Sequence, residues 1–146
     1  MRLWHYQLLP YLPELQFKGQ LRELVSIMRD VRDKDQTNHL LINRVMEYPK
    51  SDLSTYFYRY MWIYYDRYRM HISRKIIKEF EDFSPAYFDL AEPIFEDWHN
   101  KEYLRVCMAN LYEKHVFGVG KSRITDEEWQ TLLEGYKQIT GEDYVI

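Results

Sequence analysis

The sequence predicts an all-α fold, a single compact domain over residues 1–146 with about five or six helices around a tyrosine-rich central helix. Through most of the chain, apolar residues recur at intervals of three and four, which places them on one side of a helix. No segment shows the strict alternation of a half-buried strand. Gly and Pro contribute only 5 residues each, so long linkers are not expected.

The first two predicted helices lie near the N-terminus. The segment 14–31 carries an apolar stripe at helical spacing, formed by Leu21, Leu24, Val25 and Met28. A second helix is predicted over 36–48. It should end before Pro49, because the residue that precedes a proline disfavours helical geometry.

The third predicted helix, over 51–70, is the central one. The Ser51 hydroxyl can cap its N-terminus. Its apolar stripe is formed by Leu53, Phe57, Tyr60, Met61, Tyr64 and Tyr68. Because aromatic residues also occupy the other sides, we expect this helix to be covered all round. A short basic helix is predicted near 73–80.

The remaining elements follow from capping residues. The segment 80–93 contains prolines and is predicted to be a loop with short helical pieces. Asn100 should start a helix that runs to about 117. After the loop GVGKSR, Thr125 and Glu128 fit a capping box, which predicts the start of the last helix.

The charge is unevenly distributed along the chain. Residues 1–80 form a basic half with a net charge of +5, and residues 81–146 form an acidic half with a net charge of −8. The overall net charge of −3 argues mildly against nucleic-acid binding. The basic half could nevertheless present a local basic face.

Composition also limits the compartment. Cys107 is the only cysteine, so no intrachain disulfide can form, and its place on an apolar stripe predicts a buried side chain. No stretch approaches the roughly 18 apolar residues of a membrane span. We therefore expect a cytoplasmic protein that does not enter a membrane.

Two patterns suggest sites but favour simpler interpretations. The full phosphate-loop pattern would need a glycine where His115 stands before GVGKS, so a loop that ends a helix is favoured. A metal could bind the acidic and histidine side chains of one short segment, but a solvated acidic turn is favoured there and we predict no metal site. That segment contains Glu96, Asp97, His99 and Glu102.

The tyrosine-rich segment combines aromatic rings with Arg59, Arg67 and Arg69. That composition suits stacking on unpaired bases beside a phosphate-binding face. A core helix with a solvated basic edge is the alternative, and composition alone favours it.

The first helix and the start of the chain carry the sharper pattern. A basic flank of the helix includes Lys18, Arg22 and Arg29, with Glu23 beside it and Gly19 one turn earlier. The glycine leaves backbone uncovered, so a ligand could approach the carboxylate. The opening MRLWH is too apolar to extend into water, and we expect it to be ordered with its terminal amine inside the structure. A surface Arg–Glu pair on an amphipathic helix is the alternative.

The opening MRLW, the helix motif QFKGQLREL and the segment HLLINRVMEY together resemble the pyrimidine-dimer DNA glycosylase/AP lyase family, which includes the phage-type endonuclease V and its bacterial relatives. The helix motif is carried by Gln16, Gly19, Gln20, Arg22 and Glu23, and the later segment by His39, Asn43, Val45 and Glu47. The resemblance is clear over about 1–48, thins through 80, and returns weakly at FEDWHNKEYLRVCMANL.

The resemblance implies that the α-amine of Met1 is the nucleophile and that Glu23 is the catalytic carboxylate. An α-amine has an ordinary pKa of about 7.7–8.0, so an appreciable fraction is neutral near pH 7. The implied partner is double-stranded DNA with a damaged or abasic site, and no cofactor is required. We expect a monomer. The candidate DNA-binding residues are Arg2, Gln16, Lys18, Gly19, Arg22, Arg29 and His39.

Several positions depart from the family pattern. Arg2 is too large for normal removal of the initiator methionine, so we expect Met1 to remain. Ser26 and Glu14 stand where relatives carry basic residues, which weakens the phosphate contacts, and the acidic second half has no match in the compact phage protein. A non-catalytic helical module that binds nucleic acid or protein is therefore the alternative function.

Overall fold

The computed structural model of the chain describes residues 1–84 and 93–146. Those residues form six α-helices and two short 3₁₀ helices and contain no strand, which confirms the all-α prediction. The α-helices are α1 (Glu14–Asp33), α2 (Leu40–Met46), α3 (Lys50–Tyr68), α4 (Arg74–Phe83), α5 (Lys101–Val116) and α6 (Asp126–Thr140). The 3₁₀ helices span Tyr6–Tyr11 and Gly120–Ser122. Most of the loop predicted over 80–93 lies outside the described residues.

The chain groups into two compact units. The first unit consists of Met1–Leu3 with Gln20–Phe95, and the second consists of Trp4–Gly19 with Glu96–Ile146. Helix α1 therefore contributes its first residues to the second unit and the remainder to the first. None of the described helices is long and apolar enough to cross a lipid bilayer.

Helix α3 is the core element of the first unit. Every residue over 53–58 is buried, so all sides of that stretch are covered as the aromatic pattern predicted, but the second half is not covered all round, because Trp62 is 59% exposed. Phe57 stacks on Phe80 of α4 with ring centroids 3.8 Å apart. Burial raises the pKa of the Tyr60 phenol above its ordinary value, which keeps that ring neutral.

Two predicted helix starts in the first unit are wrong. Helix α3 begins at Lys50 with Pro49 before it, and no side chain caps it, so Ser51 is not the cap. The helix predicted over 36–48 begins only at Leu40. The Asn43 side chain explains this, because it accepts the Thr37 N–H at 3.0 Å and donates to the Thr37 carbonyl at 2.8 Å. These bonds hold the preceding residues in a turn that competes with helix formation.

The capping predictions in the second unit are confirmed. The Asn100 side chain accepts the backbone N–H of Tyr103 at the start of α5. Thr125 and Glu128 form a reciprocal capping box at the start of α6. The 3₁₀ helix Tyr6–Tyr11 was not predicted. It packs on α6 where Gly135 leaves room for the ring of Tyr11.

Candidate functional site

The start of the chain is held by side chains of α1 within the first unit. The backbone N–H of Arg2 donates to Glu23 Oε2 at 2.9 Å. The backbone carbonyl of Arg2 accepts a hydrogen bond from Gln20 Nε2 at 2.8 Å. Both polar backbone groups of residue 2 are therefore fixed by residues one helical turn apart. This arrangement brings the predicted carboxylate of Glu23 to the peptide that follows the predicted nucleophile.

Residue 1 itself is more exposed than predicted. Met1 retains 51% of its accessible surface, whereas Leu3 is completely buried. The start of the chain is thus held in place at Arg2 and Leu3, and Met1, which carries the amine, remains accessible to solvent.

An open groove of about 850 Å³ lies beside Met1 within the first unit. Its walls come from the end of α1, the following turn and the start of α2. The lining residues are Met1, Asp30, Lys34, Gln36, Thr37, Asn38, His39 and Ile42. The groove brings the exposed His39 into the surroundings of Met1, although the two residues are far apart in sequence.

The basic residues of α1 in the first unit differ in their partners. Arg29 forms a two-pronged ion pair with Glu79 of α4, with nitrogen–oxygen distances of 2.8 and 3.2 Å. Hydrogen bonding to Arg29 holds the pKa of the Glu79 carboxyl below its ordinary value. Arg22 is exposed and has no ion-pair partner within residues 1–84 and 93–146.

The remaining predicted residues of α1 lie on the part of the helix that belongs to the second unit. Lys18 is exposed and forms an ion pair with Glu14 at 2.7 Å. Gln16 is partly buried, and its side-chain oxygen has no hydrogen-bond partner in the described parts of the chain. Gly19 is partly exposed. Those residues share one helix with Glu23 but not one unit.

The two weaker patterns form no further site in the described residues. The backbone at GVGKS follows the end of α5 and closes into the short 3₁₀ helix, where the Ser122 hydroxyl donates to the Val119 carbonyl. No group of three or more His, Cys, Asp or Glu side chains converges among residues 1–84 and 93–146. Cys107 is buried, as its apolar stripe predicted.

Sequence reasoning missed two residues of this arrangement. Gln20 was part of the recognised motif but was not predicted to act, and no prediction was made for Tyr56. Gln20 donates a hydrogen bond to the Arg2 carbonyl, and Tyr56 donates one to the amide oxygen of Gln20. The spacing of three residues between Gln20 and Glu23 could have indicated that Gln20 acts beside Glu23, because it places both side chains on one face of α1.

Comparison with known protein families shows to which family the chain belongs. The profile of the pyrimidine dimer DNA glycosylase family matches residues 1–75, which is just over half of the 146-residue chain. The chain belongs to the pyrimidine dimer DNA glycosylase family. The match includes every residue predicted for the site, from Met1 to His39. Searches of curated proteins and of solved structures gave no match.

Proposed function

We propose that the protein is a DNA repair glycosylase with AP lyase activity, which acts on damaged pyrimidines through the α-amine of Met1 and the carboxylate of Glu23. Pyrimidine dimers are the lesion that the family suggests. The observation that carries the proposal is the 2.9 Å hydrogen bond from the Arg2 N–H to Glu23, which joins the carboxylate to the peptide beside the amine. We expect a monomer that works on double-stranded DNA in the cytoplasm without a cofactor.

The proposed reaction begins with the neutral amine of Met1. Its nitrogen attacks C1′ of the damaged nucleotide, the bond between C1′ and the base breaks, and the base leaves with a proton. Opening of the sugar ring gives an imine between the amine nitrogen and C1′. Removal of a C2′ proton then breaks the C3′–O bond and cuts the strand, and water hydrolyses the imine to regenerate the amine. In this reaction Glu23 carries protons and stabilises the cationic imine, a role supported by its hydrogen bond to the Arg2 N–H.

The surroundings of Met1 suit a DNA substrate. The open groove leaves room for an extruded sugar to approach the amine, and His39 lines it. Exposed Arg22 is adjacent to Glu23 in sequence and is available for a phosphate, with Arg2 as a second candidate. Lys18 and Arg29 would have to leave their carboxylate partners in order to contact phosphates.

Borohydride trapping tests the carboxylate and the amine together. The protein with a free Met1 should give a covalent adduct with a duplex that contains one abasic site. Glu23→Gln should abolish strand cleavage while leaving DNA affinity unchanged. Glu113→Gln, a change at an exposed position of α5, is the matched control and should cleave normally. Cleavage by the Glu23→Gln variant at the normal rate would refute the assigned role.

An N-terminal extension tests the amine alone. One alanine placed before Met1 moves the terminal amine by about 3.8 Å, the spacing between consecutive Cα atoms. The extension should therefore eliminate the adduct. The same alanine added after Ile146 is the control and should have no effect. An undiminished adduct from the N-terminally extended protein would show that another amine reacts.

A non-catalytic DNA- or protein-binding module is the second candidate function. It is favoured by the ion pairs that occupy Lys18 and Arg29, together with the net charge of −3. Salt dependence of duplex binding separates a glycosylase from a protein-binding module, and the borohydride adduct separates it from a non-catalytic DNA-binding module. A glycosylase should bind at low salt and lose affinity steeply as salt rises, because bound phosphates release counterions. A protein-binding module should have no DNA affinity even at low salt.

A further inference from the structure

A buried tyrosine stands behind the contacts that hold the start of the chain. The Tyr56 hydroxyl on α3 donates to the side-chain oxygen of Gln20 on α1 at 3.1 Å. Tyr56 is completely buried and Gln20 retains only 1% of its accessible surface. A tyrosine hydroxyl can either donate or accept, so this buried contact fixes where the Gln20 amide lies, and the groups on the other side of the amide decide which end faces the tyrosine.

Two oxygen acceptors near the amide nitrogen set the orientation of the Gln20 side chain. With its oxygen on Tyr56, Gln20 directs its NH₂ group toward the Arg2 carbonyl at 2.8 Å and toward Glu23 Oε2 at 3.4 Å. Glu23 in turn accepts the Arg2 N–H. Flipping the amide would turn its oxygen toward two acceptors and its nitrogen toward the tyrosine. The four residues thus form one chain of bonds with a single favourable arrangement.

We propose that Tyr56 and Gln20 are positioning residues, which hold the Met1–Arg2 peptide and the Glu23 carboxylate in the relative position that the reaction needs. The inference rests on the proposed function. Neither side chain needs to touch DNA, because Gln20 acts through the Arg2 carbonyl and through Glu23. The Met1 amine is separated from the Arg2 nitrogen only by the Met1 Cα and carbonyl carbon, so fixing residue 2 restricts where the amine can point.

The expected loss of rate follows from the sensitivity of a reaction to the position of its reacting groups. A displacement of about 1 Å can lower a rate about a hundredfold. We expect Gln20→Met, which keeps the length of the side chain but removes its donors, to slow adduct formation about ten- to a hundredfold. Tyr56→Phe removes only the hydroxyl and should slow it by a smaller factor, about three- to tenfold.

The experiment measures the single-turnover rate of borohydride trapping on an abasic duplex, together with the Kd for that duplex without borohydride. Both variants should lower the rate and leave Kd within about twofold of the wild-type value. Tyr136→Phe is the matched control, because it removes a hydroxyl from another completely buried tyrosine, whose partner is Arg105. That control should keep the wild-type rate.

The double variant tests whether the two residues act as one unit. If Tyr56 works by holding Gln20 in place, Gln20→Met with Tyr56→Phe should be no slower than Gln20→Met alone. Rate losses that multiply would overturn the linked role.

Single variants that form the adduct as fast as the wild type would overturn the inference and leave the proposed function intact. Loss of rate and affinity together with a lowered Tm would overturn it in favour of a purely structural role. Absence of any wild-type adduct would refute the proposed function itself.

Discussion

Replacing Glu79 with glutamine should strengthen binding to duplex DNA, because it releases Arg29 on the basic flank of α1. In the wild type, Arg29 is paired with both oxygens of Glu79, and Arg32 lies 3.6 Å from the same carboxylate. Glutamine can still accept one hydrogen bond, but it carries no charge. The guanidinium group of Arg29 therefore becomes available to a phosphate without breaking an ion pair.

The size of the effect follows from counterion release. Each phosphate that the protein newly neutralises steepens the slope of log K against log salt by about 0.9. Release of Arg29 should therefore add about one unit to the slope. Over a fourfold rise in salt, from about 50 to about 200 mM, the affinity advantage of Glu79→Gln over the wild type should shrink about 3.5-fold.

Fluorescence anisotropy of a labelled undamaged duplex, titrated at several salt concentrations, measures both the affinity and the slope. Glu113→Gln changes the net charge equally at an exposed site of the second unit, so it controls for the effect of total charge. If Glu79→Gln gives the wild-type slope, or the same small change as Glu113→Gln, Arg29 does not contact DNA and should be removed from the candidate residues.

Three further predictions concern stability. Hydrogen bonding to Arg29 lowers the pKa of Glu79, so the ion pair stabilises the folded state above a pH of about 4.3. The wild type should therefore have a higher Tm than Glu79→Gln at neutral pH, and this difference should disappear as acid protonates the Glu79 carboxyl. Gly135→Ala should destabilise the fold by up to about 2 kcal/mol in urea unfolding, because the new methyl group would lie 2.3 Å from the Tyr11 ring and the clash outweighs the gain in helix propensity. Thr125→Ala should cost about 1 kcal/mol in the same assay by removing the cap of α6.

Sequence reasoning succeeded where short-range chemistry decides the structure. The start of α5 at Asn100 and the capping box of α6 involve side chains three residues from their partners, and both were predicted. The start of α2 was missed because Asn43 bonds back to Thr37, a competing contact that apolar spacing does not reveal. The 3₁₀ helix Tyr6–Tyr11 was missed because it is short and contains Pro10, so it shows no helical periodicity.

The site could be predicted only in part, for a related reason. Family resemblance proposed Glu23 and Arg22 as site residues from a local motif. The contact between Gln20 and Tyr56, in contrast, joins residues of two helices that are 36 positions apart in the sequence. Polar bonds between distant residues depend on the packed fold, and a single sequence contains no periodic signal for them. From the sequence, Tyr56 was therefore assigned no role and its hydroxyl no partner.

Formal charge along the first helix is a poor guide to phosphate binding once ion pairs are considered. Lys18, Arg22 and Arg29 count equally in the sequence, yet Lys18 is paired with Glu14 and Arg29 with Glu79. Such exposed pairs are weak, but a phosphate must still compete with the carboxylate already in place. Arg22 carries no such competition from the described residues, and it is the neighbour of Glu23. The positive charge most readily available on α1 therefore lies beside the proposed chemistry, even though the protein as a whole is acidic.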